Sequence, residues 1–269
     1  MLREVWEYMA ARAGRDARAM GYLAEAVALA ARHRRQRRAW APHVAAARRF
    51  VADSAALAAP GGRALVAGSG LLIEIPLDTL ADRFDEVVLL DLVHLHPVRR
   101  AVRRFANVRL VEADVTGVLG PLRAALAAGA PLPQPEADRG PFPDGGFTFA
   151  VSCNLLSQIP LMPRDAIERR RRDDGDAFAR ALASAHVAWL RRVAPVAGLF
   201  TDIESLWLKD GALAGREDSL WGAALPPPDR TWTWDIAPAP EEDRRLDLRH
   251  TVGGWLDLNG TATPPPPPC

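Results

Sequence analysis

Arg63-Ala-Leu-Val-Ala-Gly68-Ser-Gly70, followed about twenty residues later by Val87-Val-Leu-Leu-Asp91, is the stretch on which the fold turns. An apolar strand runs into a Gly-x-Gly turn, and a second apolar strand ends on a carboxylate. Open α/β sheets build nucleotide pockets in this way: glycines let backbone approach the ligand, and the acid accepts hydrogen bonds from ribose hydroxyls. A Gly-x-Gly after a strand also occurs as an ordinary tight turn, so the rest of the chain has to carry the reading further.

Outward from that stretch the chain alternates. The strand at 63–67 leads to a helix starting near Pro76, a residue suited to a first helical turn. The strand at 86–91 leads to a helix around 97–105, and 108–111 reads as a third strand. A helix at about 118–128 precedes a Pro-rich loop over 130–146. Then come a fourth strand from Phe147 to Cys153, an amphipathic helix over about 174–193, and a fifth strand from Gly198 to Ile203. Thr231-Trp-Thr-Trp-Asp-Ile236 and Leu248 to Leu256 follow as a hairpin. The pattern predicts an α/β fold: a Rossmann-like, mostly parallel sheet with a C-terminal antiparallel hairpin and an antiparallel strand at its edge.

Upstream, residues 2 to about 31 carry helical spacing broken near Gly14, and a second helix is expected over about 42–57. Pro60-Gly-Gly62 punctuates the chain. The expected organisation is a helical N-terminal cap over 1–59, an α/β core over 60–258, and a tail over 259–269. That tail holds five consecutive prolines and should be extended and unpacked.

Composition narrows the function classes. With 269 residues, 49% hydrophobic and 25% charged, the chain can bury a sizeable core. A net charge of +1 supplies no general attraction to nucleic acid or anionic membrane. Cys153 and Cys269 are the only cysteines, which excludes a disulfide framework and a cysteine zinc site. Early charges at Arg3, Glu4 and Glu7 do not fit a signal peptide, and no window approaches a membrane span, so a cytoplasmic protein is expected. Lys209 is the lone lysine; the remaining basic residues are arginine.

Three further stretches join the glycine turn in a resemblance. Pro141-Phe-Pro-Asp-Gly-Gly-Phe147-Thr-Phe-Ala-Val-Ser152 is similar to a loop and fourth strand usually written PFPDGSFDLVVS. Trp189-Leu-Arg-Arg-Val-Ala-Pro-Val-Ala-Gly-Leu-Phe200 is similar to a helix and fifth strand written RVLKPGG plus an apolar run. Asn107-Val-Arg-Leu-Val-Glu-Ala-Asp114 is a third strand ending on an acid. In order and spacing, the segment from about 60 to 256 resembles the class I S-adenosylmethionine-dependent methyltransferases.

That resemblance implies S-adenosylmethionine as cofactor and a small-molecule methyl acceptor, with an oxygen or nitrogen methylated. It puts Gly68 and Gly70 against the methionine and ribose part, Asp91 on the ribose hydroxyls and Asp114 on the adenine amino group. Ser152 and Asn154 would border the transfer site at the carboxyl end of the fourth strand. An N-terminal helix often closes over such a pocket, which brings His43 forward as a base or orienting group, with Tyr8 and Trp6 as lid residues. Gln158 and Glu204 complete the substrate-side candidates.

The departures fall on cofactor contacts rather than on the fold. Val66 stands where the family has an acid, with Glu74 just past the turn as its substitute. Leu72 replaces the third glycine, Thr148 the strand-four aspartate, and Asn154-Leu-Leu the Asn-Pro-Pro-aromatic tetrad of nucleic-acid amino methylation. Two other readings stay open: a methyltransferase-like protein that binds a nucleoside or protein partner without catalysis, and an RNA-modifying enzyme. The second rests on Arg32-His-Arg-Arg-Gln-Arg-Arg38, which lacks interleaved aromatics and reads as a solvated helix face. A dinucleotide pocket would need glycine at Ile73. His94 and His96 have no acid or cysteine cluster beside them and are read as local hydrogen-bonders, not metal ligands.

Overall fold

The computed structural model describes residues 8, 9, 11 and 13–260; Trp6 and the proline run beyond residue 260 lie outside the described residues. Eight helices are described: α1 (Arg15–Ala19), α2 (Tyr22–Arg35), α3 (Arg37–Ala56), α4 (Leu77–Arg83), α5 (His96–Val102), α6 (Leu119–Ala128), α7 (Leu161–Glu168) and α8 (Gly175–Val193). The strands are β1 (Arg63–Ala67), β2 (Glu86–Asp91), β3 (Val108–Glu112), β4 (Phe149–Cys153), β5 (Val196–Lys209), β6 (Ala212–Asp218), β7 (Arg230–Ala237) and β8 (Asp247–Trp255).

One sheet runs in the order β3-β2-β1-β4-β5-β8-β7, with β6 paired to β5 off that path. β3 to β5 are parallel, and β8 lies antiparallel against both β5 and β7. This is the Rossmann-like α/β fold with its C-terminal antiparallel strands. One detail differs from expectation: the antiparallel strand is interior. β8, the second arm of the hairpin, pairs directly onto β5 and leaves β7 at the edge.

Strands buried on both faces read as continuous apolar runs, and β1, β2 and β4 are such runs. One face is covered by α3, α4 and α5: Trp40, Phe50, Val51 and Leu80 pack on Val66, Leu89, Phe149 and Phe200. The other is covered by α8, whose Val187, Trp189 and Leu190 meet Leu65, Leu90, Ala150 and Leu199. The chain before residue 60 therefore shares the main core through α3. This helix begins at Arg37, upstream of the expected start, and carries Pro42 within it. α1 and α2 pack separately on Val93 and Leu95 after β2.

Two elements were absent from the sequence reading. α7 is one, and β6 is the other. A two-residue turn, Asp210-Gly211, joins β5 to β6 with φ of 50° and 80°, the positive-φ pair that such hairpins require. No helix among the described residues is long and apolar enough to cross a membrane.

Candidate functional site

β1 stops at Ala67 and the chain turns sharply. Gly68 has φ 74°, and a Cβ there would lie 2.7 Å from the Cys153 carbonyl oxygen and 3.1 Å from Leu155 Cβ. Glycine is needed because the ends of β1 and β4 approach so closely. Gly70 also has positive φ (48°), but a Cβ there meets only the Gly68 oxygen at 3.9 Å. Its N–H donates to Asp91 Oδ2 at 2.7 Å, which ties the turn to the end of β2. Leu72, in the third-glycine position, has φ 63°. A left-handed conformation in a leucine costs roughly 1–2 kcal/mol.

Asp91 Oδ1 accepts from Leu92 N–H at 2.7 Å and from Val93 N–H at 3.4 Å. Burial still pushes its carboxyl above the usual range, against the pull of these N–H groups and of His94. Asp114 is likewise engaged: Oδ1 accepts from Thr116 N–H and Oγ1–H, and Oδ2 from Leu119 N–H at 2.8 Å, the start of α6. Both acids hold backbone in shape as well as facing the cavity between them.

That cavity, about 230 Å³, lies at the carboxyl ends of β1 to β4 and is roofed by α2 through Tyr22, Ala26 and Leu29. Its wall brings together Gly68, Gly70, Glu74, Asp91, Asp114, Asn154 and Gln158. Ligands of open α/β sheets bind at such an edge, where the strand order reverses. Here the reversal falls between β1 and β4. Four carboxylates line the cavity, from Glu25, Glu74, Asp91 and Asp114, and no Arg, Lys or His does among the described residues. Burial, helped by the Asp114 charge, raises the Tyr22 hydroxyl well above its ordinary range.

Asn154, immediately after β4, has φ 45°. Its Oδ1 accepts from Asp202 N–H at 2.9 Å, and its carbonyl accepts from Gln158 Nε2 at 2.7 Å. Behind the wall lies His43, fully buried on α3. Trp232 Nε1–H donates to its Nδ1 at 3.0 Å, and its Nε2 is 2.6 Å from Glu74 Oε1. An indole N–H can only donate, so Nδ1 accepts and the ring proton sits on Nε2, facing Glu74. The ring stacks on Trp234 at 4.2 Å and 9°. His43 therefore does not touch the cavity, while its partner Glu74 does.

Besides His43, two further site candidates from the sequence, Ser152 and Glu204, do not reach the cavity. Ser152 is on the opposite side of β4 from Cys153, and its Oγ shares a 2.8 Å hydrogen bond with His186 Nε2 on α8. Glu204 is spent on the hairpin: Oε1 meets Arg216 at 3.0 Å and Oε2 accepts from Thr251 at 3.3 Å. Tyr8 is exposed, with Arg18 over its ring. Sequence reasoning missed Asp202, buried on β5, whose Oδ1 has no partner among the described residues; it stands 4.0 Å from His250 through Oδ2. Burial raises its carboxyl.

Two arginines of the basic run are paired with acids. Arg32 pairs with Glu242, and Arg35 and Gln36 bond Glu241 in the loop between β7 and β8. His94 Nε2 bonds Ser69 Oγ at 3.0 Å, and no group of three metal-ligating side chains occurs among the described residues. The dinucleotide reading meets a geometric obstacle. A pyrophosphate needs a helix N-terminus directly after the glycine turn, and here α4 begins only at Leu77.

No protein-family model matches the chain, and no curated protein does. Among solved structures it is similar to the 1,6-didemethyltoxoflavin-N1-methyltransferase of Burkholderia thailandensis, with bound 1,6-didemethyltoxoflavin and S-adenosylhomocysteine. The likeness covers 79% of each chain, with 18% identity and a TM-score of 0.37. A likeness this weak assigns neither substrate nor activity.

Proposed function

We propose that the protein transfers the sulfonium methyl of S-adenosylmethionine to the oxygen or nitrogen of a small molecule. The observation that carries this reading is the charge of the cavity. At the sheet edge where a nucleoside would sit, four carboxylates meet no cation among the described residues. A ligand with a sulfonium and an ammonium group suits such a lining, and the Gly68-Ser-Gly70 turn facing Asp91 suits its ribose. The donor fits the residues present.

In this reading Asp91 accepts from the ribose hydroxyls through lone pairs that its backbone partners leave free. Asp114 lies where the adenine amino group would come, and Glu74 takes the place of the acid absent at Val66, which is wholly buried. Asn154 and Gln158 border the acceptor. The chemistry is an in-line displacement, so the chain's main contribution is to align donor and nucleophile and keep water out. α2 roofs the cavity and serves the second purpose. A basic group is needed only where the acceptor must lose a proton.

The test is isothermal titration with S-adenosylmethionine and S-adenosylhomocysteine, repeated on Asp91→Asn after its melting curve shows a folded protein. Micromolar binding weakened tenfold or more by the substitution supports the reading, as expected for a lost charged hydrogen-bond acceptor. No binding to the folded wild type overturns it. Binding without methyl transfer to any of a panel of phenols, amines and heterocycles would leave a non-catalytic nucleoside-binding protein.

A further inference from the structure

Four carboxylates reach the cavity, and three are accounted for. Asp91 and Asp114 are held by backbone N–H groups, and Glu25 lies on the exposed side of α2. Glu74 differs from all of them. Its Oε1 receives the Nε2–H of His43 at 2.6 Å, and its Oε2 makes no hydrogen bond with a described residue. The side chain is 16% exposed, while that of His43 is not exposed at all. One carboxylate oxygen is thus clamped from behind and the other is left for whatever occupies the cavity.

The clamp is itself over-determined. Trp232 Nε1–H, from β7, holds His43 Nδ1 as an acceptor, and Trp234, two residues on, stacks against the imidazole at 4.2 Å. With Nδ1 occupied by a donor, the ring cannot turn over without losing both hydrogen bonds. The string Trp232–His43–Glu74 joins an edge strand, the helix over the sheet face and the loop after the glycine turn.

We infer that Glu74 is the counter-ion for the amino-acid ammonium of the methyl donor, and that His43 is a positioning residue that aims it, not a base. This rests on the donor reading above. A carboxylate oriented by a neutral histidine keeps its full charge for the ligand, and a fixed rotamer loses little entropy when the ligand arrives. His43 thereby sets selectivity for ligands that carry the amino-acid arm over those that carry adenosine alone.

The experiment compares two probes by isothermal titration: S-adenosylhomocysteine, and 5′-methylthioadenosine, which has the same adenosine and a thioether but no amino-acid arm. Glu74→Gln should weaken S-adenosylhomocysteine about tenfold or more and leave 5′-methylthioadenosine within twofold. His43→Phe keeps the stack on Trp234 and should weaken S-adenosylhomocysteine severalfold, again with little effect on the shorter probe. Trp232→Phe, milder for the fold, should act in the same direction. The ratio of the two affinities is the readout, because a merely structural lesion would weaken both probes alike. Equal weakening of both, or unchanged affinity for S-adenosylhomocysteine, overturns the inference while leaving the donor reading intact. If neither probe binds the folded wild type, the donor reading falls, and this inference with it.

Discussion

On the face of the sheet under α3, His43 has both ring nitrogens bonded and a carboxylate at the cavity as its partner. On the face under α8, His186 is as deeply buried but shares one bond with Ser152, and its Nδ1 has no partner among the described residues. The first histidine lies in a polar seam that includes Glu74, Trp232, Asp202 and His250. The second packs beside Trp189 in an apolar layer, where burial drives its pKa down to about 3. The difference teaches where to look for chemistry. A buried ring bonded at both nitrogens and reaching a cavity through its partner is a candidate for organising a site, whereas one with an unbonded nitrogen in an apolar layer is packing.

The contrast can be broken or sharpened by experiment. The largest effect should come from pH. Folded His186 stays neutral down to about pH 3 while the unfolded chain takes a proton near 6.5. Below pH 6.5 the unfolded state therefore binds the extra proton, and stability falls as pH drops, by about 1.4 kcal/mol per unit from this group. Urea melts between pH 7 and 4 measure it, and His186→Phe should flatten the slope; an unchanged slope would mean the ring is not the packing residue described. Next is Gly68→Ala, which forces a Cβ onto the Cys153 carbonyl at the seam between the two faces. A loss of about 3 kcal/mol is expected, against about 1 for Gly70→Ala, where the space is open.

A smaller effect, of opposite sign, is expected at Asp202. It faces His250, His43, Glu74 and Asn154, yet Oδ1 is buried without a partner among the described residues and burial raises its carboxyl. The folded state therefore loses stability as pH rises above the ordinary carboxylate range. Asp202→Asn should stabilise the protein at pH 8 by about 1–2 kcal/mol, and less at pH 5. Destabilisation at both would show that the carboxylate is part of the polar seam's support. The smallest effect should follow Arg32→Gln, which breaks a surface pair with Glu242 and should cost under about 1 kcal/mol, shrinking further in salt.

How much of this was readable beforehand depends on distance along the chain. β1, the glycine turn, β2 and β4 are contiguous apolar runs with local punctuation, and they stand where the pattern puts them. β6 escaped because it is exposed on both faces and lacks alternation, although Asp210-Gly211 marked its turn. Strand parity decided two site residues. Cys153, not Ser152, faces the cavity, and the bulge between Asp202 and Glu204 breaks the alternation that would have paired their roles. The clamp on Glu74 was beyond local reading. Its members are separated by 31 and 189 residues, and only the packing of α3 beneath β7 brings them together.

The cavity's lining has one more consequence, for competition among metabolites. Adenine and ribose are common to nucleotides and to the proposed donor, so a pocket that recognised them alone would fill with whichever was most abundant. A nucleotide brings phosphates into a lining of four carboxylates with no described cation to offset them. Two like charges brought to about 4–8 Å out of bulk water repel by roughly 2–4 kcal/mol at an effective dielectric of about 20. Under the proposed reading, the same acids that would hold the donor's cation would also disfavour polyphosphates.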